Sequence, residues 1–409
     1  MAGGAGSAKG PVGLVLAGGG ARGAYELGAL SVLLPALEAR GERPRVIVGT
    51  SVGALNAAFL AGTAERPVGE VVERGLRIWE EIRFEQALKH VVSPGALWRL
   101  TRYVGQFLGV PGARLEALLD PSPLRATLAR LIPFEAIERN VATGVVQAAA
   151  VVATSAAMSR SVVFHWGGES PPRDERRGID YVRTRLLEQH VRASSAIPGA
   201  FPAVEVTEPE RAGGWYWDGG TRLNTPIKPA LRLGAERVVV IGLNAIGRPG
   251  GSHPPHEPEP LAGPHRPDAL EGAGALTQAV LADPLAHDVA TLAKVNAIVG
   301  DSETRKPAGK DRVPYIFVAP RDRYAIGRTA QRVFNDRRRD LADLLRISDL
   351  AFLGSAVAGG SDPAHGELLS YLFFAPEFAR ELVALGCADA RRWLAEPHDD
   401  GPWQVGPLI

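Results

Sequence analysis

Val46-Ile47-Val48-Gly49-Thr50-Ser51-Val52-Gly53 decides the fold of this chain: a β-branched run stops at Gly-Thr-Ser-Val-Gly and passes at once into Ala54-Leu55-Asn56-Ala57-Ala58-Phe59-Leu60, a helix-compatible stretch. The pattern places a serine on a strand-to-helix elbow. Gly49 and Gly53 relieve crowding around a strained turn, Thr50 and Val52 flank the serine, and the Ser51 hydroxyl projects from the sheet top, where the helix dipole favours negative charge. Ser51 is therefore the first candidate nucleophile. An ordinary tight turn also satisfies the pattern by chance in a chain with 47 glycines. Two further motifs bear on the choice.

Upstream, Val12-Gly13-Leu14-Val15-Leu16-Ala17 reads as a short buried strand that runs into Gly18-Gly19-Gly20-Ala21-Arg22-Gly23. Leu27, Leu30, Leu34 and Leu37 then recur at spacings of three and four, one apolar stripe of a helix that Pro35 is expected to kink or shorten. A glycine loop between strand and helix leaves backbone N–H groups free to bind an anion. Gly18, Gly20 and Gly23 also satisfy the dinucleotide fingerprint G-x-G-x-x-G. A dinucleotide site wants an acidic residue at the end of the next strand, and here that strand ends in Gly49-Thr50-Ser51, with Glu38 and Glu42 lying before it. The other use of the loop is an oxyanion hole serving a serine that attacks an acyl carbonyl. Loops at the carboxyl ends of neighbouring parallel strands converge for that purpose.

The third motif is Trp215-Tyr216-Trp217-Asp218-Gly219-Gly220, followed by Asn224-Thr225-Pro226. Asp218 ends an aromatic, strand-like run, and the two glycines permit a sharp turn. In isolation Asp-Gly-Gly is most often just that.

Together these residues resemble the patatin-like phospholipases, serine lipid acyl hydrolases that use a Ser-Asp dyad. The oxyanion loop of that family corresponds to Gly18, Gly19, Gly20, Ala21, Arg22 and Gly23, its Gly-x-Ser-x-Gly elbow to Gly49 through Gly53, and its Asp-Gly-Gly motif to Asp218, Gly219 and Gly220. The segment Ala193-Ser194-Ser195-Ala196-Ile197-Pro198-Gly199-Ala200-Phe201-Pro202 is similar to the one that precedes the family's aspartate. The resemblance runs over roughly residues 12 to 320 and implies a three-layer α/β/α fold with a mainly parallel central sheet. It also implies that Asp218 takes the Ser51 proton as Oγ attacks the ester, that amides near Gly19 and Gly20 hold the oxyanion, and that an acyl-enzyme follows. The substrate it implies is a lipid ester, a phospholipid first of all, met at a membrane surface by peripheral contact. Acyl transfer with the same dyad, or lipid or nucleotide binding without catalysis, are the alternatives.

A Ser-His-Asp triad needs a histidine that reaches the serine. The chain has nine histidines, but His253, His256 and His265 fall in the Pro/Gly-rich stretch 246–267, a poor scaffold for a base, and His287 reads as a surface or packing residue. A dyad fits better. An aspartate of ordinary pKa is a weak base, so the site has to raise it by burial, and Trp215 and Trp217 are the expected apolar wall. Arg22 either attracts an anionic head group or pairs with a carboxylate to fix the loop, and the pairing role is favoured.

With 409 residues, 45% hydrophobic and 22% charged, the chain can bury a sizeable core. A net charge of +1 gives no argument for nucleic acid. Eight arginines between Arg321 and Arg346 face Asp322, Asp336, Asp340 and Asp343, which reads as a solvated, ion-paired helix before it reads as a surface for anionic lipid. Cys387 is the single cysteine, so no intrachain disulfide forms. No metal-ligand cluster is visible and no cofactor is expected. Met1 to Lys9 shows neither a hydrophobic segment nor a charged leader, and the expected location is the cytoplasm, with peripheral membrane contact. Residues 141–158, nearly free of charge but broken by Gly144 and Gln147, suit a buried strand better than a membrane span.

The expected organisation is a short N-terminal tail (1–11), a catalytic domain (12–320) and a mostly helical C-terminal extension (321–409). Strands are expected near 12–17, 45–49, 145–153, 161–165, 237–242 and 314–319, with helices between most of them. Residues 64–135 form an insertion carrying Trp79, Ile82, Phe84, Leu88, Leu97, Trp98, Tyr103, Phe107 and Leu108, read as packed helices or as a lid over the acyl chain. In the extension, Leu341, Leu344, Leu345 and Phe352 mark one amphipathic helix and Leu368, Leu369, Leu372, Phe373 and Phe378 another, both expected to pack on the catalytic domain.

Overall fold

Every residue of the apolar run Val12–Leu16 is buried as strand β1, and the chain leaves it through a 3₁₀ turn at Gly20–Arg22 into helix α1 (Gly23–Glu38). The leucine stripe of α1 is buried as its spacing predicts, but Pro35 does not stop the helix, which runs on to Glu38 with the proline in its last turn. Strand β2 (Pro44–Thr50) and helix α2 (Val52–Gly62) meet at Ser51, and α3 (Val68–Glu81) follows. The computed structural model describes residues 10–82, 121–198, 200–245, 312–322, 324–338 and 363–406. Outside these lie the apolar positions of the insertion from Phe84 to Leu108, the stretch 246–267, His287, and Leu341, Leu344, Leu345 and Phe352.

Helices α4 (Ser122–Leu131) and α5 (Phe134–Ala142) lead into strands β3 (Ala148–Ser155), β4 (Ser161–Gly167) and β5 (Ile179–Arg183). Helix α6 (Glu188–Ser194), strands β6 (Val204–Val206) and β7 (Gly214–Asp218), helix α7 (Ile227–Arg232) and strand β8 (Arg237–Ile241) come next. Strand β9 (Tyr315–Val318) and helices α8 (Ala325–Arg338), α9 (Pro363–Leu372) and α10 (Pro376–Ala395) complete the described chain.

The strands form one sheet in the order β5-β4-β3-β2-β1-β8-β9, with β7 paired to β3 and β6 to β7. From β3 to β9 neighbouring strands are parallel, while β4 and β7 run antiparallel to β3. Helices flank this mainly parallel sheet, giving the three-layer α/β/α arrangement in which both faces of the central strands are apolar. That explains why β1, β3 and β8 read as near-continuous runs of small and β-branched residues instead of alternating ones. Because β1 and β2 are adjacent and parallel, the loops after Leu16 and after Thr50 open at the same carboxyl edge. β7 delivers Asp218 to that edge by pairing with the end of β3, Asp218 opposite Ala153.

The C-terminal helices are packed on this body. Tyr25 Oη of α1 donates to Asp389 Oδ2 of α10 at 2.8 Å, and Cys387 of α10 sits against Gly28 and Ser31 of α1 as a small packed residue. The arginines of α8 reach acids of α10: Arg332 bonds Glu381 at 3.1 Å and Arg337 bonds Glu377 at 3.5 Å. This part of the basic run therefore joins two helices rather than facing outward as a free cationic surface.

Candidate active site

Ser51 occupies the one-residue gap between β2 and α2 with φ 54° and ψ −123°. An L-residue at this backbone geometry is strained by about 1–3 kcal/mol and persists only where its surroundings hold it. The holding groups are identifiable. A Cβ on Gly49 would lie 2.0 Å from Gly53 O, and one on Gly53 would lie 2.4 Å from Leu16 O, so the elbow closes only with hydrogen at both positions. The Ser51 N–H donates to Ser194 Oγ at 2.8 Å, and that hydroxyl donates to Val152 O at 2.5 Å. Ser194 thus ties the elbow to β3. The sequence signal was the Ala-Ser segment at 193–194, which carried no role until the fold placed it. Thr50 Oγ1 donates to Leu223 O at 3.0 Å and fastens the other side.

Ser51 Oγ donates to Asp218 Oδ2 at 2.6 Å. The second carboxylate oxygen accepts the Gly220 N–H at 2.7 Å, and the Asp218 N–H donates to Ala196 O at 2.8 Å. Asp218 is only 2% exposed, and burial pushes its pKa from 3.8 up to about 7, against the opposing pull of the Ser51 and Gly220 hydrogen bonds. The apolar wall is not the expected one. Along β7, Tyr216 and Asp218 point inward, while Trp215 and Trp217, on the alternate positions, are 56% and 37% exposed. Asp218 is desolvated by the sheet and the loops themselves, not by the tryptophans.

In the glycine loop, the Gly18 N–H is already committed to Asn224, whose Oδ1 it meets at 3.1 Å and whose backbone oxygen it meets at 3.2 Å. Arg22 and Gly23 direct their N–H groups back to Gly19 O and Gly20 O. Among the described residues, nothing accepts from the amides of Gly19 and Gly20, which leaves these two N–H groups unpaired. Gly20 has φ 60°, and a Cβ there would lie 2.2 Å from the backbone oxygen of Tyr371 in α9. Arg22 is 1% exposed and pairs with Glu367 Oε2 at 2.6 Å, Glu367 O at 2.8 Å, Ser370 Oγ at 2.7 Å and Asn244 Oδ1 at 3.1 Å. Its guanidinium is held by α9 and does not face a head group. Sequence reasoning named the pairing role but not Glu367, which lies 345 residues away without a local signal.

Beneath the loop, Glu26 is a second fully buried carboxyl whose pKa burial raises well above the usual range. It accepts from Asn56 Nδ2 at 2.7 Å, and Asn56 Oδ1 accepts from Trp79 Nε1 at 3.1 Å, so α1, α2 and α3 are joined under the site. The buried histidines serve structure. His190 accepts the Leu187 N–H on Nδ1 and meets Glu208 O through Nε2, and burial lowers its pKa to about 4. Among the described residues, no histidine bonds to Ser51 or Asp218, and no group of three or more His, Cys, Asp or Glu is placed to hold a metal ion. A cleft of about 580 Å³ lined by Arg125, Phe134, Arg139, Glu188 and Glu208 contains neither member of the pair.

The model of the patatin-like phospholipase family matches residues 14–231, just over half of the chain, and the chain belongs to that family. Among solved structures, VipD from Legionella pneumophila is similar at 15% identity and a TM-score of 0.34, over 77% of this chain and 62% of VipD. No curated protein matches the chain.

Proposed function

We propose that this protein is a serine lipid acyl hydrolase, a phospholipase A or broader carboxylic ester hydrolase, with Ser51 as nucleophile and Asp218 as its general base. The observation that carries the reading is the buried 2.6 Å hydrogen bond from Ser51 Oγ to a carboxylate whose pKa stands at about 7. A base with a pKa near the operating pH is half-available as carboxylate and still strong enough to take a proton. As Oγ bonds to the ester carbon, its proton passes to Asp218 Oδ2 and the carbonyl oxygen becomes negative against the amides of Gly19 and Gly20. Collapse of this intermediate breaks the bond to the leaving alkoxide, which takes the proton from Asp218. Water then attacks the acyl-enzyme, Asp218 accepts its proton, and the fatty acid leaves as Ser51 Oγ recovers that proton.

Family membership supports a lipid as the acyl donor, and the exposed side chains support a peripheral encounter with membrane. Trp215, Trp217 and Met158, the last 62% exposed, lie on β7 and on the turn after β3, at the edge that carries Asp218. Tryptophan at such a rim suits the interface between head groups and acyl chains. No helix among the described residues is long and apolar enough to cross a membrane. The test is product analysis by mass spectrometry after incubating the protein and Ser51→Ala with mixed phospholipid and neutral-lipid vesicles. Free fatty acid with matching lysolipid from the unaltered protein alone is the expected result. Equal release by both proteins, or release by neither, refutes the reading. Acyl products on an added alcohol instead of free acid would reassign the same dyad to acyl transfer.

A further inference from the structure

The glycine loop rests on the Ser51 elbow at both of its ends. A Cβ on Gly18 would lie 3.0 Å from Ser51 Cβ, and one on Gly23 would lie 2.4 Å from Val52 Cγ2. The unpaired N–H groups of Gly19 and Gly20 belong to the chain between those two contacts. Arg22 shapes this middle part. Its backbone N–H closes the turn on Gly19 O at 3.3 Å, and a Cβ on Gly19 would lie 3.5 Å from both Cβ and Cδ of the arginine, so the Arg22 stem runs alongside Gly19.

The guanidinium at the end of that stem is fastened from outside the loop. Nε donates to Ser370 Oγ, Nη1 to Asn244 Oδ1, and Nη2 to both Glu367 O and Glu367 Oε2, and all three of these residues lie beyond the family match at 14–231. Glu367 is the centre of the arrangement. One carboxylate oxygen takes Arg22 at 2.6 Å, the other accepts the Gly327 N–H of α8 at 2.9 Å, and the backbone oxygen accepts from Arg22 and from Ser370 Oγ. Helices α8 and α9 touch there, since a Cβ on Gly366 would lie 2.5 Å from Gly327 O.

Stability alone does not call for such a pair. Removing two charges from water offsets much of their attraction, and well-packed apolar residues of similar volume often hold a fold as well or better. What the pair supplies is direction. A guanidinium is planar with its donors in a fixed fork, so four acceptors around it leave the Arg22 stem one place to lie. That place is against Gly19.

We propose that Glu367 is a positioning residue for the reaction, acting through Arg22 to set where the Gly19 and Gly20 N–H groups stand when the ester oxygen becomes negative. The inference rests on the reading of Ser51 as an acyl-transfer nucleophile with the glycine loop as its oxyanion hole. It assigns a helix outside the family match a part in the rate of the reaction without contact to the substrate.

The test replaces the pair as a whole in the full chain. Arg22→Met with Glu367→Gln removes both charges, so no buried charge is left alone, and keeps an acceptor for the Gly327 N–H. On p-nitrophenyl butyrate its kcat is expected to fall about 100-fold at unchanged KM, the scale of a donor displaced by about 1 Å. Ser51 labelling by a fluorophosphonate should slow in parallel, while the melting temperature and the pH midpoint of the remaining activity stay those of the unaltered protein, because Asp218 is untouched. Arg22→Lys keeps the charge on Glu367 but not the fork, and should recover about a tenth of the unaltered kcat. Ser370→Ala removes one acceptor from Arg22 and should lower kcat about fivefold, the scale of one hydrogen bond, at an unchanged melting temperature. Unaltered kcat and labelling rate in the paired variant overturn the assignment and leave Ser51 as nucleophile. A loss confined to KM, or one that comes with a shifted pH midpoint, overturns it too. Should the paired variant melt below the assay temperature, Ser370→Ala and Arg22→Lys decide: a lower kcat at unchanged KM and melting temperature supports the assignment, and unaltered kcat overturns it. Absence of Ser51 labelling and turnover in the unaltered protein overturns both this inference and the acyl-hydrolase reading beneath it.

Discussion

Asp218→Asn should inactivate this protein and stabilise it, and the two effects should share one pH dependence. In the folded chain the Asp218 carboxyl titrates near pH 7, against 3.8 for an ordinary aspartate, because burial disfavours its charge. A pKa raised on folding means that the folded state holds the proton more tightly than the unfolded state. The stability this gives is fully present below about pH 4 and is lost as pH rises to 7. Above pH 7 the buried carboxylate costs about 4 kcal/mol, roughly three pH units at 1.36 kcal/mol each. Asparagine is close to isosteric, retains an acceptor for the Gly220 N–H and carries no charge. The variant should therefore be the more stable protein at pH 8, by up to about 4 kcal/mol, with the difference closing as pH falls toward 4. Without a base its turnover should fall by about 100-fold or more. In the unaltered protein, kcat/KM should rise tenfold per pH unit below 7 and level off above it, leaving about 1% of the plateau at pH 5. Urea denaturation of both proteins from pH 5 to 9, beside hydrolysis of a soluble ester, reads every term. Equal stabilities across that range, or undiminished activity at pH 5, would refute the buried-base argument.

Ser51→Gly should be about 1 kcal/mol more stable than Ser51→Ala, since only glycine adopts φ 54° with ψ −123° without strain; equal urea midpoints would remove strain from the description of the elbow. Glu367→Gln leaves the buried Arg22 charge unmatched and should destabilise the protein by about 3 kcal/mol, read by the same denaturation assay. Trp215→Ala with Trp217→Ala should reduce the fraction that sediments with phospholipid vesicles and lower vesicle hydrolysis more than hydrolysis of a monomeric ester; unchanged sedimentation counts against the rim. A chain ending at residue 231 lacks β8 and should be insoluble, because all five residues of β1 lose their partners on that side.

What could be read in the sequence is what local geometry alone specifies. The elbow at 49–53 and the glycine loop at 18–23 are each a strand end, a turn and a helix start in contiguous residues, so their shape is written in short-range pattern. The apolar runs of β1, β2, β3, β8 and β9 are legible because buried parallel strands need no alternation. The short strand β5 carries no such run and gave no signal. The tryptophans illustrate a parity error: once Asp218 must face inward, Tyr216 shares its face and both neighbours point out, but the strand's role had to be fixed before its faces could be named. Arg22 shows a deeper limit. Its motif suggests a cation paired to some carboxylate, while its partner arrives from a helix near the other end of the chain, and no pattern in residues 18–23 predicts which carboxylate that is.

That distant partner bears on how the candidate site is held together. A strained serine, a desolvated carboxylate and a loop with unpaired amides all oppose folding, and each must be held by structure that does not itself react. For the serine the holders are Gly49, Gly53 and Ser194, all within the family match. For the loop they are different: Gly18 is held by Asn224, but Arg22 is held by Glu367 and Ser370, and Gly20 rests on the backbone of Tyr371. Residues 14–231 thus contain Ser51 and Asp218, whereas the glycine loop is braced by α9. On the proposed reading of the loop as an oxyanion hole, whose donors must be fixed before the charge develops, any loosening of α9 would be felt as lost preorganisation even with Ser51 and Asp218 untouched. The limit of the family match is therefore not the limit of the structure that holds the glycine loop in place.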